Sequence, residues 1–436
     1  MTTTRDQGNY PHYKRNAIAL ALDNAFFGTG ANFISTATVL MTFLATLTSN
    51  EVLIGAAVGL LNSAWLLPQL IAGSMAARQR RMKPMVLKAA WSTRPVLLPL
   101  ALVVWLFAAE HPQLVFAATV LAIFCFFAGD AFTSVPWFSM LARVVPPDRR
   151  GRVVGIGGIL GGLGGVGAGM LVRYVLADSA RFPYPGNYGL LIAIGCLSIL
   201  LSGVCLILVH EPEPTGEPSA EVPPSFWQVL KRMPELLARD VPFRKLVITK
   251  VVLGFAGLAG SFYVLYATRE LGFDTAVTGY FVTAQVIGSM GSGLLLSYIQ
   301  DHWGPLHHMR TLIVVAMLPP LCALLAGPLR ATWPEAVLPL YLALYFFAGV
   351  AWTNIGWPFF NWILEAEPEQ HQPLYIGLLN TISAVSMLAP TIGGLLVRTV
   401  SYQAAFCVGM GFAIAALVLS FSLPSPRHRA VAPSAD

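Results

Sequence analysis

Charged side chains are scarce in this sequence of 436 residues. Asp, Glu, Lys and Arg make up 11% of it and hydrophobic residues 56%, whereas a soluble domain carries about 25% charged residues. A soluble protein with so few charges would expose too much apolar surface to water. The mean hydropathy of +0.66 agrees with this, so we expect membrane lipid to surround most of the chain.

Cysteine is also scarce and forms no ligand motif. The five cysteines lie in apolar stretches without CxxC spacing, where thiols act as small hydrophobic side chains. We expect no disulfide and no metal site. The glycine-rich stretch at 155–169 has no strand before it, as a nucleotide-binding loop requires, and we interpret it as a helix-packing surface. With no catalytic dyad evident, we expect neither an enzyme nor a cofactor.

We expect no cleavable signal peptide either. The polar start at 1–16 leads into an apolar run of roughly thirty residues, which is too long for a signal sequence and has no small-residue cleavage site behind it. A bilayer core requires about 20 apolar residues in a helix. On that basis the sequence predicts an all-α polytopic membrane protein with twelve spans: 16–47, 52–76, 85–109, 112–142, 150–177, 188–209, 244–271, 275–300, 306–328, 335–365, 371–399 and 402–423.

One long polar interval, 210–243, separates six spans from six. Its first part is rich in Pro and Glu and cannot bury a core. The stretch FWQVLKRMPELLARD at 226–240 has apolar residues at helical spacing, which favours a short amphipathic helix at the cytoplasmic surface over an unstructured linker. The expected domains are a six-helix bundle at 1–209, this linker, a second bundle at 244–423 and a disordered tail at 424–436.

Lysine and arginine are distributed unevenly between the two sides. If both termini are inside, twenty of these residues fall on the cytoplasmic side and only four, Arg181, Arg269, Arg330 and Arg398, fall in the opposite loops. Positive side chains accumulate on the cytoplasmic side of a membrane protein. We therefore expect a multi-pass protein of the inner membrane with both termini in the cytoplasm.

The two halves of the chain repeat. The stretches FFAGDAFTSVPW at 126–137 and FFAGVAWTNIGW at 346–357 share seven of twelve residues at an offset of 220. Further along, GMLVR at 169–173 matches GLLVR at 394–398. Because the matches keep one order and direction, the six spans of the first half correspond to the six of the second.

Parallel six-helix repeats related by an axis along the membrane normal are the architecture of the major facilitator superfamily, which the whole chain resembles. The stretches SAWLLPQL (63–70), VPPDRRGR (145–152) and PEQHQPLYIGLLN (368–380) resemble one large bacterial branch of it. The resemblance implies two pseudo-symmetric bundles, a cavity lined by spans 1, 4, 7 and 10, and a small-molecule substrate. We expect a monomer with no nucleic-acid partner.

One loop motif departs from the family. The family has an Asp four residues after a Gly, then a second Gly, between spans 2 and 3. Here Gly73 is followed by Ala77 and Arg80, while the second half keeps Asp301 and Gly304. We predict that Asp301 contributes to gating, whereas the corresponding first-half latch loses its carboxylate.

Ionisable side chains within spans each cost about 2.5–3.5 kcal/mol and need a reason to be there. Asp130 lies in the middle of span 4. Its counterpart in the second repeat is Val350, so the fold does not require a carboxylate at this position. We predict proton or ion coupling at Asp130 rather than mere pairing with a basic or amide side chain. Asp23 is a second coupling candidate. It could also form a gate with Lys250, the alternative being that each reaches the membrane interface; we expect a structural role for Arg94.

Aromatic and amide side chains suggest the chemistry of the substrate. In span 10, helical spacing places much of the set Trp352, Asn354, Trp357 and Asn361 on one face, and Trp137 is the repeat mate of Trp357. A wall of this kind suits an amphipathic or aromatic solute, the alternative being helix packing. Further substrate-binding candidates are Asn24, Asn32, Gln285 and Asn380.

Secondary active transport by alternating access is the predicted function. Asp130 and the aromatic wall favour proton-coupled efflux. Uptake by symport or uniport remains an alternative, since span 5 lacks the Gly-Pro pair of drug–proton antiporters and span 4 has Cys125 near the place of a family arginine. Protons are then a coupling partner. The alternative from another class is a non-transporting receptor or assembly partner with the same fold.

Overall fold

The computed structural model describes residues 10, 12–76, 79–213, 226–368 and 372–426. In these ranges the chain is all-α, with short turns and no strand. The helices of the first half are α1 Tyr13–Asn32, α2 Val39–Leu47, α3 Glu51–Leu66, α4 Gln69–Ala76, α5 Lys83–Thr93, α6 Leu97–Phe107, α7 Pro112–Val144, α8 Pro147–Ala177 and α9 Gly186–Leu208. A 3-10 turn, Arg94–Val96, joins α5 to α6.

The second half continues in the same manner. Its helices are α10 Phe226–Arg239, α11 Val241–Ala256, α12 Tyr263–Leu265, α13 Val277–Trp303, α14 Pro305–Thr332, α15 Val337–Asn354, α16 Trp357–Ala366, α17 Gln372–Ser383, α18 Ala389–Thr399 and α19 Tyr402–Phe421. Irregular turns at Gly257–Phe262, Tyr266–Glu270, Pro334–Ala336 and Ala384–Leu388 connect several of them.

Eleven helical segments of the described chain are long and apolar enough to cross a membrane. They correspond to the predicted spans 2 to 12. The first predicted span, 16–47, is interrupted instead, because α1 ends at Asn32 and α2 begins at Val39. Counting α1 with α2 as one interrupted span, the structure agrees with a twelve-span protein.

The interruption recurs in the second half. Residues 33–38 break the first span, and the 3-10 turn Gly257–Phe262 breaks the seventh; the two stretches are separated by 224 positions (257 − 33). This lies between the offsets of the two motif matches, 220 (346 − 126) and 225 (394 − 169). Irregular backbone at membrane depth persists only where protein covers it or where it lines a water-filled cavity. The repeat therefore extends to where the helices break.

Span 10 crosses at Pro334–Ala366, close to the predicted 335–365, but it is also interrupted. Helix α15 ends at Asn354 and α16 begins at Trp357. The cause is Pro358, which has no N–H to donate to the carbonyl four residues earlier and whose ring clashes with that turn. The predicted face from Trp352 to Asn361 therefore does not exist as one helical face.

The helices form two compact units. Unit 1 contains residues 1–35 and 64–223, and unit 2 contains residues 36–63 and 224–436. In unit 1, α1 packs against α8 and α9, and α7 packs against α5. In unit 2, α15 packs between α13 and α14, and α19 packs against α14 and α11. The units differ from the sequence halves in segment 36–63, which packs with the second half.

Glycines of α8 provide its contact with α1 in unit 1. A Cβ on Gly157 would meet the Ala21 carbonyl oxygen at 2.9 Å, and one on Gly161 would meet the Ala25 Cα at 3.4 Å. Gly164 lies directly against Thr29. Within lipid, the exclusion of water does not drive helices together, and association depends on close packing. Small residues allow that close approach. The glycine-rich stretch is thus a packing surface, as predicted.

Segment 36–63 joins unit 2 through a similar close approach. Gly55 of α3 lies against the Pro390 carbonyl, and Gly394 of α18 lies against the Glu51 carbonyl. At the edge of this contact the Arg269 Nη1 donates to Glu51 Oε1 at 2.7 Å. Nearby, Arg398 Nη1 donates to Asn50 Oδ1 at 3.1 Å, so two arginines of the second half hold one end of the segment.

The helix α10 lies where the sequence predicts an amphipathic helix. Its residues Met233, Leu236 and Leu237 pack on the core formed by α11 and α17. Asp240 then caps α11 by accepting a hydrogen bond from the Phe243 N–H at 2.9 Å. The Pro/Glu-rich linker from 214 to 225 and the tail from 427 to 436 lie outside the described residues.

Candidate functional sites within the spans

Asp23 in α1 lies at the centre of a buried polar network in unit 1. Its Oδ1 accepts a hydrogen bond from the Ser202 hydroxyl at 2.5 Å, and its Oδ2 accepts one from the Trp137 indole at 2.7 Å. The Arg94 Nη1 lies 3.8 Å from Oδ1. The carboxylate therefore has partners from three other elements: α9, α7 and the turn between α5 and α6.

Arg94 completes this network. Its Nη1 donates to the Ser202 hydroxyl at 2.8 Å, and its guanidinium lies 5.2 Å from the centre of the Phe27 ring. The side chains of Arg94 and Asp23 are only 5% and 7% exposed. Burying either charge alone would cost several kcal/mol, so the fold buries them as a pair. Arg94 is structural, as expected.

The gate formed by Asp23 and Lys250 stays a prediction, because each of the two side chains has partners within its own unit. The observed polar partners of Asp23 are residues of unit 1. Lys250 in unit 2 has an amide as its hydrogen-bond partner instead. The sequence places Asp23 and Lys250 at similar depth in their spans, but it does not show that Arg94 and Ser202 are partners of Asp23.

Asp130 in α7 is in a different environment. Its Oδ2 accepts a hydrogen bond from the Trp65 indole at 3.2 Å, and the carboxyl-bearing residue is only half-buried. Among the described residues no lysine or arginine lies within salt-bridge distance of it. Trp65 was not among the predicted site residues, although an indole N–H inside an apolar span needs an acceptor.

The repeat mate of Asp130 has an ordinary packing role. Val350 in α15 is 7% exposed and lies in a small apolar cluster with Leu296, Ile299 and Leu312. The same position in the two halves therefore holds a carboxylate in one and a core methyl group in the other. This supports the inference that the fold itself does not require Asp130.

Lys250 in α11 is a charged side chain within a span of unit 2. Its Nζ donates to Asn380 Oδ1 of α17 at 3.0 Å. It also lies over the Phe360 ring at 4.7 Å and the Phe359 ring at 5.9 Å from the ring centres. The structure thus brings together the predicted residues Lys250 and Asn380, and it adds Phe360 from α16.

The predicted aromatic wall of span 10 is divided. Trp352 and Trp357 are 61% and 58% exposed, whereas Asn354 is 7% exposed. The Asn354 amide donates to Ser292 Oγ at 2.9 Å and ties α15 to α13. The Asn354 amide nitrogen thus holds two helices together, and a substrate-binding role for this residue stays a prediction. Asn361 in α16 is half-buried and remains a candidate.

Three other predicted amides are placed differently from one another. The Asn24 amide donates to the Val154 carbonyl of α8 at 3.3 Å, and the Asn32 amide donates to the Gly28 carbonyl of its own helix at 2.8 Å. Gln285 in α13 is half-buried. Asn24 and Asn32 thus have local structural partners, which leaves Gln285 as the better ligand candidate of the three.

The two inter-helix loops that were compared in the sequence also differ. In the second half, exposed Asp301 precedes Gly304, whose φ of +82° permits the sharp turn between α13 and α14. In the first half, buried Glu211 accepts hydrogen bonds from the N–H groups of Met82 and Lys83 at 2.9 and 2.7 Å. It also pairs with Arg143 at 3.2 Å.

A carboxylate thus holds the first-half loop after all, from a position that sequence reasoning missed. Glu211 caps the beginning of α5, where free N–H groups favour an anion. It belongs to a Pro/Glu-rich stretch that looks like a solvated linker in the sequence. In the part of the chain that the structure describes, no cluster of His, Cys, Asp or Glu could hold a metal ion.

Comparison with known proteins agrees with the fold. The sequence model of the Major Facilitator Superfamily matches residues 25–388. No curated protein matches by sequence. A variant of the nucleoside transporter NupG has a similar structure, with a TM-score of 0.71 and 13% identity over 93% of this chain and 99% of that one.

Two further solved structures are similar. A bacterial homologue of the iron transporter ferroportin gives a TM-score of 0.70 with 15% identity, over 94% of this chain and 98% of that one. A D-xylose–proton symporter gives 0.67 with 17% identity, over 95% and 98%. At such identities the likeness shows the fold alone. The family match covers most of the chain, and the protein belongs to the Major Facilitator Superfamily, a family of multi-pass membrane transporters.

Proposed function

We propose that this protein is a secondary active transporter that moves a small amphipathic or aromatic solute by alternating access, with proton-coupled efflux as the favoured mode. The observation that supports it is the contrast between two aspartates inside the membrane. Asp23 is enclosed in a paired network, whereas Asp130 is half-buried and accepts a hydrogen bond from the Trp65 indole. Among the described residues no cation lies within salt-bridge distance of Asp130, and Arg94 acts on it only from farther away. An intramembrane carboxylate without a paired cation is suited to exchanging a proton or binding a cation.

Alternating access requires helices that can bend or break. The interruptions at 33–38 and Gly257–Phe262 occupy equivalent places in the two repeats. Discontinuous helices near the midplane are typical of binding sites in repeat-built transporters. The exposed indoles of Trp352 and Trp357 fit an aromatic or amphipathic solute.

A ligand screen followed by flux measurement tests this proposal. Purified protein is first screened for thermal stabilisation by drugs, sugars, amino acids, nucleosides and lipids; a ligand at 100 times its Kd should stabilise the native state by about 2.7 kcal/mol. Each soluble hit is then loaded into proteoliposomes and its flux measured under a proton gradient of either sign. We expect one direction of gradient to drive flux against the solute gradient.

The Asp130→Asn variant tests the coupling role. It keeps the size of the side chain and an oxygen for Trp65, but it removes the titratable group. We expect gradient-driven accumulation to be lost while ligand-induced stabilisation persists. Asp148→Asn removes a charge from an exposed helix end and should behave like the unmodified protein.

The outcomes separate the alternatives. Flux that ignores the proton gradient in the unmodified protein would indicate a uniporter. Accumulation of the solute in the direction of proton movement, rather than opposite to it, would indicate uptake by symport. Ligand binding with no flux in either direction would contradict transport and favour a receptor or assembly partner.

A further inference from the structure

Lys250 lies far inside a membrane span. It follows Val241, the first residue of α11, by nine positions (250 − 241), which is about 14 Å along a helix axis. A lysine at such depth is costly and marks a functional site by default. Its neighbours on α11 toward the helix start, Arg244 and Lys245, lie near the end of the span and have carbonyl partners there.

The surroundings of Lys250 attract its charge without neutralising it. The ammonium has three N–H donors, of which one is directed at Asn380 Oδ1. The rings of Phe360 and Phe359 present their negative faces to the cation. Among the residues that the structure describes, no carboxylate lies within salt-bridge distance of Nζ.

The acidic side chain that begins α11 is otherwise engaged. Asp240 accepts hydrogen bonds from the Phe243 N–H at 2.9 Å and from the Tyr375 hydroxyl at 3.1 Å. Both oxygens are therefore occupied, ten positions before Lys250. The positive charge at Lys250 has no counter-charge from its own helix.

The contrast with Arg94 in unit 1 is informative. Arg94 has a carboxylate, a hydroxyl and an aromatic face, and it is 4% exposed. Lys250 has an amide and aromatic faces, and both Lys250 and Asn380 are half-buried. The first arrangement is closed and neutral, as structural ion pairs are. The second has no carboxylate within salt-bridge distance among the described residues, and its side chains are only partly covered by protein.

The geometry points to an anion-binding subsite. We propose that Lys250 and Asn380 bind the carboxylate of a small organic anion, whose aromatic or apolar body lies against Phe360. The ammonium keeps two N–H donors and the Asn380 amide nitrogen supplies two more, which matches a carboxylate that accepts several hydrogen bonds. This inference rests on the proposed transport function, because it names the chemical class of the transported solute.

Four small probes that share a phenyl ring and differ in charge test whether binding requires an anion. Benzoate and phenyl phosphate carry the anion, benzamide is a neutral isostere, and benzylammonium carries the opposite charge. The thermal midpoint of the purified protein is measured against each probe. We expect the two anions to stabilise the protein at concentrations about tenfold lower than the neutral and cationic probes.

Variants then assign the effect to Lys250. Lys250→Gln should raise the apparent Kd for benzoate about tenfold or more, whereas Lys250→Arg should retain most of the affinity. Lys245→Gln is the matched control, because Lys245 is on the same helix but exposed, with Ser422 as its partner. If Lys250→Gln does not fold, Asn380→Leu and Phe360→Leu provide the same comparison. Asn380→Leu should weaken the binding of the anionic probes more than that of the neutral probe.

Four outcomes overturn the inference. One is equal affinity for benzoate in Lys250→Gln and the unmodified protein, and another is no preference for the anionic over the neutral probe. The third is stabilisation by phosphatidylglycerol nanodiscs alone, lost in Lys250→Gln, which would show that a lipid phosphate occupies the site. Gradient-driven flux of neutral solutes that bind Lys250→Gln with unchanged affinity would contradict the anion subsite and leave the proposed transport function intact. Anion binding without flux would support the subsite and contradict transport.

Discussion

At the scale of single residues, three charged side chains within the spans have three different environments. Asp23 is paired with Arg94 and enclosed. Asp130 is half-buried against Trp65. Lys250 is held by an amide and aromatic rings. The physical difference is whether an opposite charge lies within salt-bridge distance, and on this difference we base the proposed coupling role of Asp130 and the proposed solute-binding role of Lys250.

Asp23→Asn should therefore destabilise the protein strongly, although Asp130→Asn should not. The substitution leaves the Arg94 guanidinium buried without a counter-charge, which costs about 3–5 kcal/mol. Thermal unfolding in detergent measures the effect. Adding Arg94→Leu to Asp23→Asn should restore part of the loss, because no charge is then buried alone. Equal midpoints for Asp23→Asn and Asp130→Asn would contradict this assignment.

At the scale of elements, glycine and proline decide how the helices meet and where they end. One face of α8 has glycines in contact with α1, and other glycines of the same helix have no neighbour within 4 Å. In span 10, Pro358 ends the regular hydrogen bonding and separates α15 from α16. Composition alone shows a helix rich in glycine, but the contacts show which glycines are required.

Adjacent glycines of α8 offer a matched pair of substitutions. Gly157→Ala would place a Cβ 2.9 Å from the Ala21 carbonyl oxygen and from the Asn24 Cβ, and overpacking of this kind costs about 1–3 kcal/mol. Gly158→Ala meets nothing within 4 Å and gains helix propensity of about 0.5–1 kcal/mol. We expect a lower unfolding midpoint for the first and an unchanged or higher one for the second. The reverse order would refute the α1–α8 packing.

At the scale of the whole molecule, the internal repeat organises the chain. The two halves share sequence motifs, and their first spans are interrupted at equivalent places. Yet equivalent positions have different surroundings, since Asp130 accepts a hydrogen bond from Trp65 and its counterpart Val350 is buried in an apolar cluster. Duplication of a bundle provides two scaffolds, on which each half can acquire its own charged group.

The orientation inferred from lysine and arginine predicts which loops are accessible from outside. In a variant without the five native cysteines, Ser179→Cys lies in the exposed loop after α8 and His302→Cys at the exposed end of α13. We expect a membrane-impermeant maleimide to label Ser179→Cys in intact cells and His302→Cys only after permeabilisation. The opposite labelling pattern would invert the topology.

The spans were predictable from the sequence because they follow from local composition. The repeat was predictable because motifs recur in one order, and the superfamily because the chain resembles it. Lipid excludes charges and unsatisfied backbone groups, so every span appears as an apolar run of sufficient length. The same rule identified Asp23, Asp130, Lys250 and Asn380 as polar residues that require a reason. Local composition also predicted the helix at 226–240, although residues 214–225 before it lie outside the described structure.

Only the tertiary structure decided which of these residues meet. Asp23 binds Arg94 and Ser202, which are 71 and 179 positions away (94 − 23 and 202 − 23), and Glu211 reaches the start of α5 from the end of the first half. Residues at equal depth in different helices are indistinguishable in the sequence, since depth fixes only one coordinate of three. Which charge is neutralised, and which remains free to act, depends on how the helices are rotated and packed about one another.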